Sequence, residues 1–200
     1  MRTPATQYPR LSLIPTLSLA LSLALSLGPN AWAAESLHDE EAQATIGLFA
    51  GNLMRELTAA LGDDGPIAAV AVCQERAPAI AAELSADSGW TVGRTSLKVR
   101  NPENAPDAWE RGVLEQFEAR KAAGESVTEL TFAEVITDDN GGQTYRVMRA
   151  IPTAPLCLTC HGSKIEPDLA QAIDKAYPED EARGFAEGDI RGAFTLSRPL

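Results

Sequence analysis

The sequence predicts an α+β domain: helices first, then a mostly antiparallel sheet with one helix inserted. Three observations carry this. Apolar residues recur three or four apart as far as Leu84, the spacing of helices. Two β-rich runs, 127–137 and 143–151, flank Asp138-Asp139-Asn140-Gly141-Gly142, which reads as a hairpin turn. A last β-rich run, 190–197, follows the turn at Gly188-Asp189.

Residues 1–33 read as an export signal. Arg2 and Arg10 precede an uncharged run rich in Leu, Ser and Ala, and Ala31-Trp32-Ala33 supplies small residues for cleavage. The run is interrupted by Pro15 and several serines, so it is short for a membrane anchor. No second apolar stretch of spanning length follows, so no stable span is expected after cleavage.

The first helix is expected from Glu35 to about Leu61, with Ile46, Phe49, Leu53 and Leu57 on one stripe. Gly62-Asp63-Asp64-Gly65-Pro66 ends it. The second helical run starts at Pro66 and places Val70, Cys73, Ala77 and Ile80 on one apolar stripe. Pro78 is expected to kink or split it near Ala77. Trp90 to Leu97 reads as a strand, and 101–106 as a loop. Asp107 is a good N-cap for a helix from Ala108 to about Ala123. In the run 143–151, Tyr145, Val147, Arg149 and Ile151 point one way, and Arg146 and Met148 the other. Pro152 to Ser163 is expected to be a loop, and Glu166 to Ala176 a short helix.

The chain has 200 residues, 44% of them hydrophobic, and a net charge of −11. That charge disfavours nucleic acid and anionic lipid as partners. Three cysteines and two histidines exclude a disulfide scaffold and any site needing three histidines. An odd cysteine count in an exported chain leaves one thiol over unless something uses it.

Cys157-Leu158-Thr159-Cys160-His161 is a C-x-x-C-H run, the attachment signature of c-type haem. Two thiols two residues apart reach the two vinyl groups on one porphyrin edge, and the next imidazole becomes the proximal iron ligand. One such run implies one haem, attached outside the cytoplasm by the cytochrome c maturation machinery. The competing readings are weaker. A redox C-x-x-C belongs at the helix of a βαβ unit, whereas this run follows a hairpin. A zinc site needs a fourth ligand, for which Cys73 or His38 would serve. For the sixth iron position the residues leave Cys73, Met54, Met148, His38 and an open site as alternatives. Of these, His38 is expected to be solvated, Met54 to belong to the core and Met148 to line the pocket.

From Cys73 to Leu200 the chain resembles a known family, the domain of unknown function 3365, or Tll-type single-haem c-type domain. The matching pieces are Val72-Cys73-Gln74, the run Thr95 to Asp107, Tyr145-Arg146, Pro152, Cys157 to Gly162, Tyr177-Pro178, and Gly188 to Ala193. The resemblance implies a PAS-like antiparallel sheet holding haem c, with N-terminal helices. Together with the residue readings above, this gives three expected parts: a signal at 1–33, an N-terminal helix at 34–65 and a PAS-like haem c domain at 66–200. The resemblance further implies that His161 and Cys73 are the two metal ligands, which would account for the third cysteine. Arg94, Lys98, Arg100, Arg146 and Arg149 are the basic residues near the expected pocket of an acidic chain; Lys98 and Arg100, which belong to the family-like segment, are the expected partners of the haem propionates. Trp90, Trp109 and Phe132 are candidates to wall the haem.

These features together lead to the expectation of a periplasmic redox or haem sensor, or signalling module, which needs a protein partner. The alternative is a small soluble electron-transfer cytochrome. A haem enzyme is not expected, because the only other histidine, His38, is poorly placed as a distal acid–base group.

Overall fold

The computed structural model describes residues 29–200, with side chains from residue 37. The expected export signal lies outside the described residues, apart from the backbone of residues 29–33. That backbone is part of helix α1 (Pro29–Asp63). Helices α2 (Gly65–Ala71) and α3 (Ala77–Ser88) follow, joined through a π-helical turn, Val72–Arg76. Strand β1 (Thr91–Thr95) and helix α4 (Ala108–Ala122) come next, then β2 (Thr131–Thr137) and β3 (Gln143–Pro152). A 3-10 turn, Pro155–Cys157, leads into the single-turn helix α5 (Leu158–His161). Helix α6 (Pro167–Ala176) and strand β4 (Ile190–Pro199) complete the chain.

The four strands form one antiparallel sheet in the order β1-β4-β3-β2. Alternation along the strands gives two apolar faces. Tyr145, Val147, Phe194 and Leu196 face α1 and α3, where they pack on Ile46, Phe49, Ile80 and Trp90. Met148, Ala150 and Ala193 face α4 and meet Val113, Leu114 and Phe117. A third, smaller cluster joins Leu169, Ile173 and Tyr177 to Val70 and Cys160. No helix among the described residues is long and apolar enough to cross a membrane.

Local chemistry explains the joints. The β2–β3 turn closes on Asp138, whose Oδ1 accepts from Asn140 N at 2.8 Å and Gly142 N at 2.9 Å. Asp107 caps α4 as expected and goes further, into a capping box. It accepts from Glu110 N at 2.8 Å, while Glu110 accepts from Asp107 N at 3.0 Å. Pro78 does not split the second helical run. Its missing N–H and its ring would disturb an α-helical bond to Gln74. The turn before it widens instead, and Ala77 N–H donates five residues back, to Val72 O. Cys73 sits on this widened turn.

The segment after β3 is helical where a loop was expected. Cys157 N donates to Ala154 O at 2.9 Å and Gly162 N to Leu158 O at 3.0 Å. The glycine closes this turn because it must: a Cβ at Gly162 would lie 2.6 Å from Leu158 O.

Candidate functional site: a cavity carrying three cysteines, a histidine and four arginines

A cavity of about 480 Å³ opens between α1, α2, the π turn, the sheet and the C-x-x-C-H turn. That is within the range of cofactor pockets, roughly 300–1,000 Å³. Its walls are mostly apolar, with Ile46, Ala50, Leu53, Ile151 and Phe194 among them.

Cys157, Cys160 and His161 all line it. The helical turn explains how. Residues at i, i+3 and i+4 share one face of a helix, so the two thiols and the imidazole are presented together. His161 is fixed from two sides. Its Nδ1 is 2.8 Å from Ala182 O, and its own carbonyl accepts from Phe185 N at 3.0 Å. Phe185 also meets the ring edge-on, with centroids 6.2 Å apart. An Nδ1–H given to a carbonyl leaves Nε2 as the lone-pair nitrogen, the usual arrangement of a metal-ligating histidine. Burial, with Arg191 and Arg100 nearby, pushes the imidazole down to about 2, so it is neutral at physiological pH. Burial pushes the Cys160 thiol up, which keeps it protonated.

Cys73 lines the same cavity from the π turn. All three cysteines are unpaired. The fold thus brings Cys73, Cys157, Cys160 and His161 to one space across more than eighty residues of sequence. Among the described residues no cluster of three or more His, Cys, Asp or Glu side chains forms a closed metal site.

The family's sequence profile, Tll0287-like, matches residues 23–199. The chain belongs to the Tll0287-like family. The resemblance drawn from the sequence motifs therefore holds. The fold is also similar to the crystal structure of the cyanobacterial heme-protein Tll0287, with a TM-score of 0.54 and 26% identity. The match covers 86% of this chain and 97% of that one. Comparison with curated protein sequences gave no match.

Several residues in this Tll0287-like chain lie elsewhere than the sequence suggested. Met148 is fully buried on the opposite face of the sheet, so it does not line the pocket. His38 is half-buried, with its ring 6.3 Å from that of Trp90 and 5.6 Å from that of Tyr145; it is not solvated. Met54 does line the cavity and is 42% exposed, so it is not a core residue. Trp90 belongs to the α1–α3 core, and Trp109 and Phe132 pack on the α4 side. None of these three walls the cavity, whose aromatic residues are Tyr177 and Phe194.

The expected propionate partners are placed differently from each other. Arg100 lines the cavity, but its guanidinium is engaged in the wall. It bonds Asp180 Oδ1 at 2.9 Å and Oδ2 at 3.1 Å, Cys160 O at 2.7 Å and Ala182 O at 3.2 Å. It thereby ties the C-x-x-C-H turn to the strap that holds His161. Lys98 does not line the cavity. Its ammonium lies 5.1 Å from the Phe185 ring centre and donates to Arg183 O at 3.2 Å.

Of the other cations expected near the pocket, Arg146 lies on the α4 side, paired with Asp107 and Glu110; Arg191 was not among those expected. Arg94, Arg149 and Arg191 also line the cavity, and among the described residues no Asp or Glu does. Two buried polar atoms on its wall, Thr95 Oγ1 and Arg191 Nε, have no hydrogen-bond partner. In so acidic a chain, a wall with four arginines, one of them (Arg100) paired with the buried Asp180, suits an anionic group. The feature of the sequence that sets Arg94 and Arg149 apart from Lys98 is strand alternation. Arg94 and Arg149 fall on strand positions of the helix-facing side, beside Phe194 in register.

Proposed function

We propose that the chain is an exported single-haem c-type protein acting as a periplasmic redox or haem sensor. The observation that carries the haem is the convergence of Cys157, Cys160, His161 and Cys73 on one cavity of cofactor size. The residues fit the group: two thiols on one helical face, a neutral imidazole with Nδ1 engaged, apolar walls, and cations for carboxylates. The likeness to a cyanobacterial heme protein supports the same reading. Each thiol S–H would add across one vinyl group, sulfur to one carbon and hydrogen to the other, giving two thioethers with no net oxidation. His161 would be the proximal ligand and Cys73 the distal one. The haem would supply one-electron chemistry. A thiolate ligand favours ferric iron, so the potential would be low.

What favours sensing is the seat of Cys73. A π turn lies one hydrogen-bond register away from α-helix, and such turns recur at functional sites. A change of ligation at Cys73 would act on a helical segment that has a second register available. This segment packs on α1 and α3, so the change reaches the surface that a signalling partner would read. The second reading, electron transfer, is favoured by the edge of the motif: Pro155, Leu156 and Thr159 are exposed. A cofactor held there would exchange electrons through that edge, and the acidic surface would steer a basic partner.

The test is an optical redox titration of the haem-loaded protein and its Cys73→Ala variant, with carbon monoxide added to the reduced forms. A six-coordinate thiolate-type ferric spectrum, lost in Cys73→Ala, is expected. Ligand loss on reduction supports sensing, and an unchanged coordination in both states supports electron transfer. A methionine-type spectrum that Cys73→Ala leaves unchanged refutes the ligation.

A further inference from the structure

We propose that Arg94 and Arg149 form the carboxylate-receiving end of the cavity and hold the two haem propionates. The inference rests on the haem reading and adds the orientation of the group and the residues that set it.

The two arginines stand in one cross-strand row. Arg94 on β1 is opposite Phe194 on β4, and Arg149 on β3 is opposite the same Phe194. Directly opposed residues share a face, and this face is the one that Phe194 presents to α1. Two strand spacings separate the arginine backbones, roughly 10 Å, with the Phe194 side chain between them. An anionic edge lying over that ring would meet one guanidinium on each side.

Neither guanidinium is committed as Arg100 is. Arg94 has no hydrogen bond or ion pair among the described residues; it faces the Phe49 ring, 5.5 Å away, and lies within electrostatic reach of Cys73 and Tyr177. Arg149 gives one nitrogen to Gln43 Oε1 at 3.3 Å and has the rest of its fork free. Arg191 is held by Ser96 Oγ at 3.2 Å and Lys98 O at 3.5 Å. Both arginines are half-buried; a cation partly withdrawn from water with no carboxylate beside it carries a cost, and burial does pull the Arg94 value down. An arriving carboxylate removes that cost and gains a charge-assisted, two-pronged hydrogen bond.

The direction agrees with porphyrin chemistry. The propionates lie on the edge opposite the vinyl groups. Thioethers at Cys157 and Cys160 therefore aim the propionates away from the motif. The motif follows the end of β3 at Pro152, and Arg149 is three residues back along that strand, roughly 10 Å into the sheet. The rival partners for Arg94 on the wall are the Cys73 sulfur and the Tyr177 hydroxyl.

The experiment uses the exported chain from cells lacking haem attachment, titrated with ferric haem and with its dimethyl ester. The ester keeps the ring and the iron and lacks both carboxylates. The readout is the affinity ratio from the Soret band. For the natural sequence the ester should bind at least ~10-fold more weakly. Arg94→Gln with Arg149→Gln should bring the ratio to about 1, chiefly by weakening the acid form. Arg94→Lys with Arg149→Lys should keep part of the preference. Equal affinity for acid and ester in the natural chain overturns the proposal, and needs no variant to fold. So does an Arg94→Gln effect that is the same for both ligands, which would assign Arg94 to the Cys73 side. If neither ligand binds the natural chain at all, the haem reading itself fails, and that outcome is distinct from a lost preference.

Discussion

Replacing Arg100 by Gln removes the tie between the C-x-x-C-H turn and the segment that holds His161. The guanidinium and its partner Asp180 are both buried, with side chains 8% and 2% exposed. Four bonds are lost: two to Asp180, one to Cys160 O and one to Ala182 O. Removing one member of a buried pair usually costs about 3–5 kcal/mol, because the other charge stays behind. Here Arg183 still bonds Asp180 at 2.7 Å, so the expected loss is near the lower end, about 3 kcal/mol. At about 2–4 °C per kcal/mol for a chain of this size, the midpoint should fall by ~6–12 °C. Thermal unfolding of the haem-free chain, followed by circular dichroism at pH 7, reads it. The pH dependence has a defined sign. Burial raises the Asp180 value, but its bonds to Arg100 and Arg183 outweigh this and hold it below the ordinary carboxylate range. A depressed carboxylate stabilises the fold above its unfolded value and loses that contribution as pH falls through the folded one. The gap between natural and variant chains should therefore be constant from neutral pH down to about 4 and narrow below that. A midpoint shift under about 3 °C at pH 7 refutes the assignment of Arg100 as a structural tie.

Four further outcomes follow from the same geometry. Gly162→Ala forces a Cβ to 2.6 Å from Leu158 O, so the turn must open; the yield of covalently attached haem should drop severalfold, read from haem staining on denaturing gels. Gly192→Ala has φ +158 and a Cβ 2.4 Å from Thr95 O, which would push β1 from β4 beside the cavity; a loss of roughly 2 kcal/mol or more is expected by denaturant titration. Asp107→Ala removes the capping box of α4 and an ion pair to Arg146 at 2.8 Å; a loss of about 1–2 kcal/mol should appear in stability with no change in the haem spectrum, because the site lies on the other face. Pro78→Ala restores the backbone donor whose absence favours the π turn; amide exchange should show α-helical bonding through 72–76, and the ferric spectrum of the loaded protein should change with it.

Much of this was readable in the sequence, for physical reasons that differ by element. The hairpin was legible because Asp138 and two glycines are turn chemistry, and Asp107 because capping is local. The strand faces around Val147 and Met148 were legible because alternation is strict. The C-x-x-C-H run announced its chemistry, although its helical conformation did not, since Pro155 and Gly162 both read as loop residues. What escaped depends on contacts distant along the chain. Arg100 reads as a free cation until Asp180, eighty residues later, closes on it. His38 reads as exposed until Trp90 and Tyr145 fold over it. Arg94 and Arg149 were legible as cations near the pocket, but their precedence over Lys98 shows only when β4 places Phe194 between them. The response of the helix to Pro78 also escaped, because a proline can be absorbed by a kink, a break or a wider turn, and packing on α1 selects among them.

In the function proposed above, Cys157, Cys160 and His161 hold one covalently attached haem in an exported chain. The most direct measurement is the intact mass, under denaturing conditions, of the protein recovered from the periplasm of a host that matures c-type cytochromes. The expected mass is that of the polypeptide cut after Ala33 plus one haem, with the haem mass lost when Cys157 and Cys160 are both changed to Ser. A full complement of polypeptide carrying no haem mass, or a haem that comes away on denaturation with both cysteines intact, would contradict it.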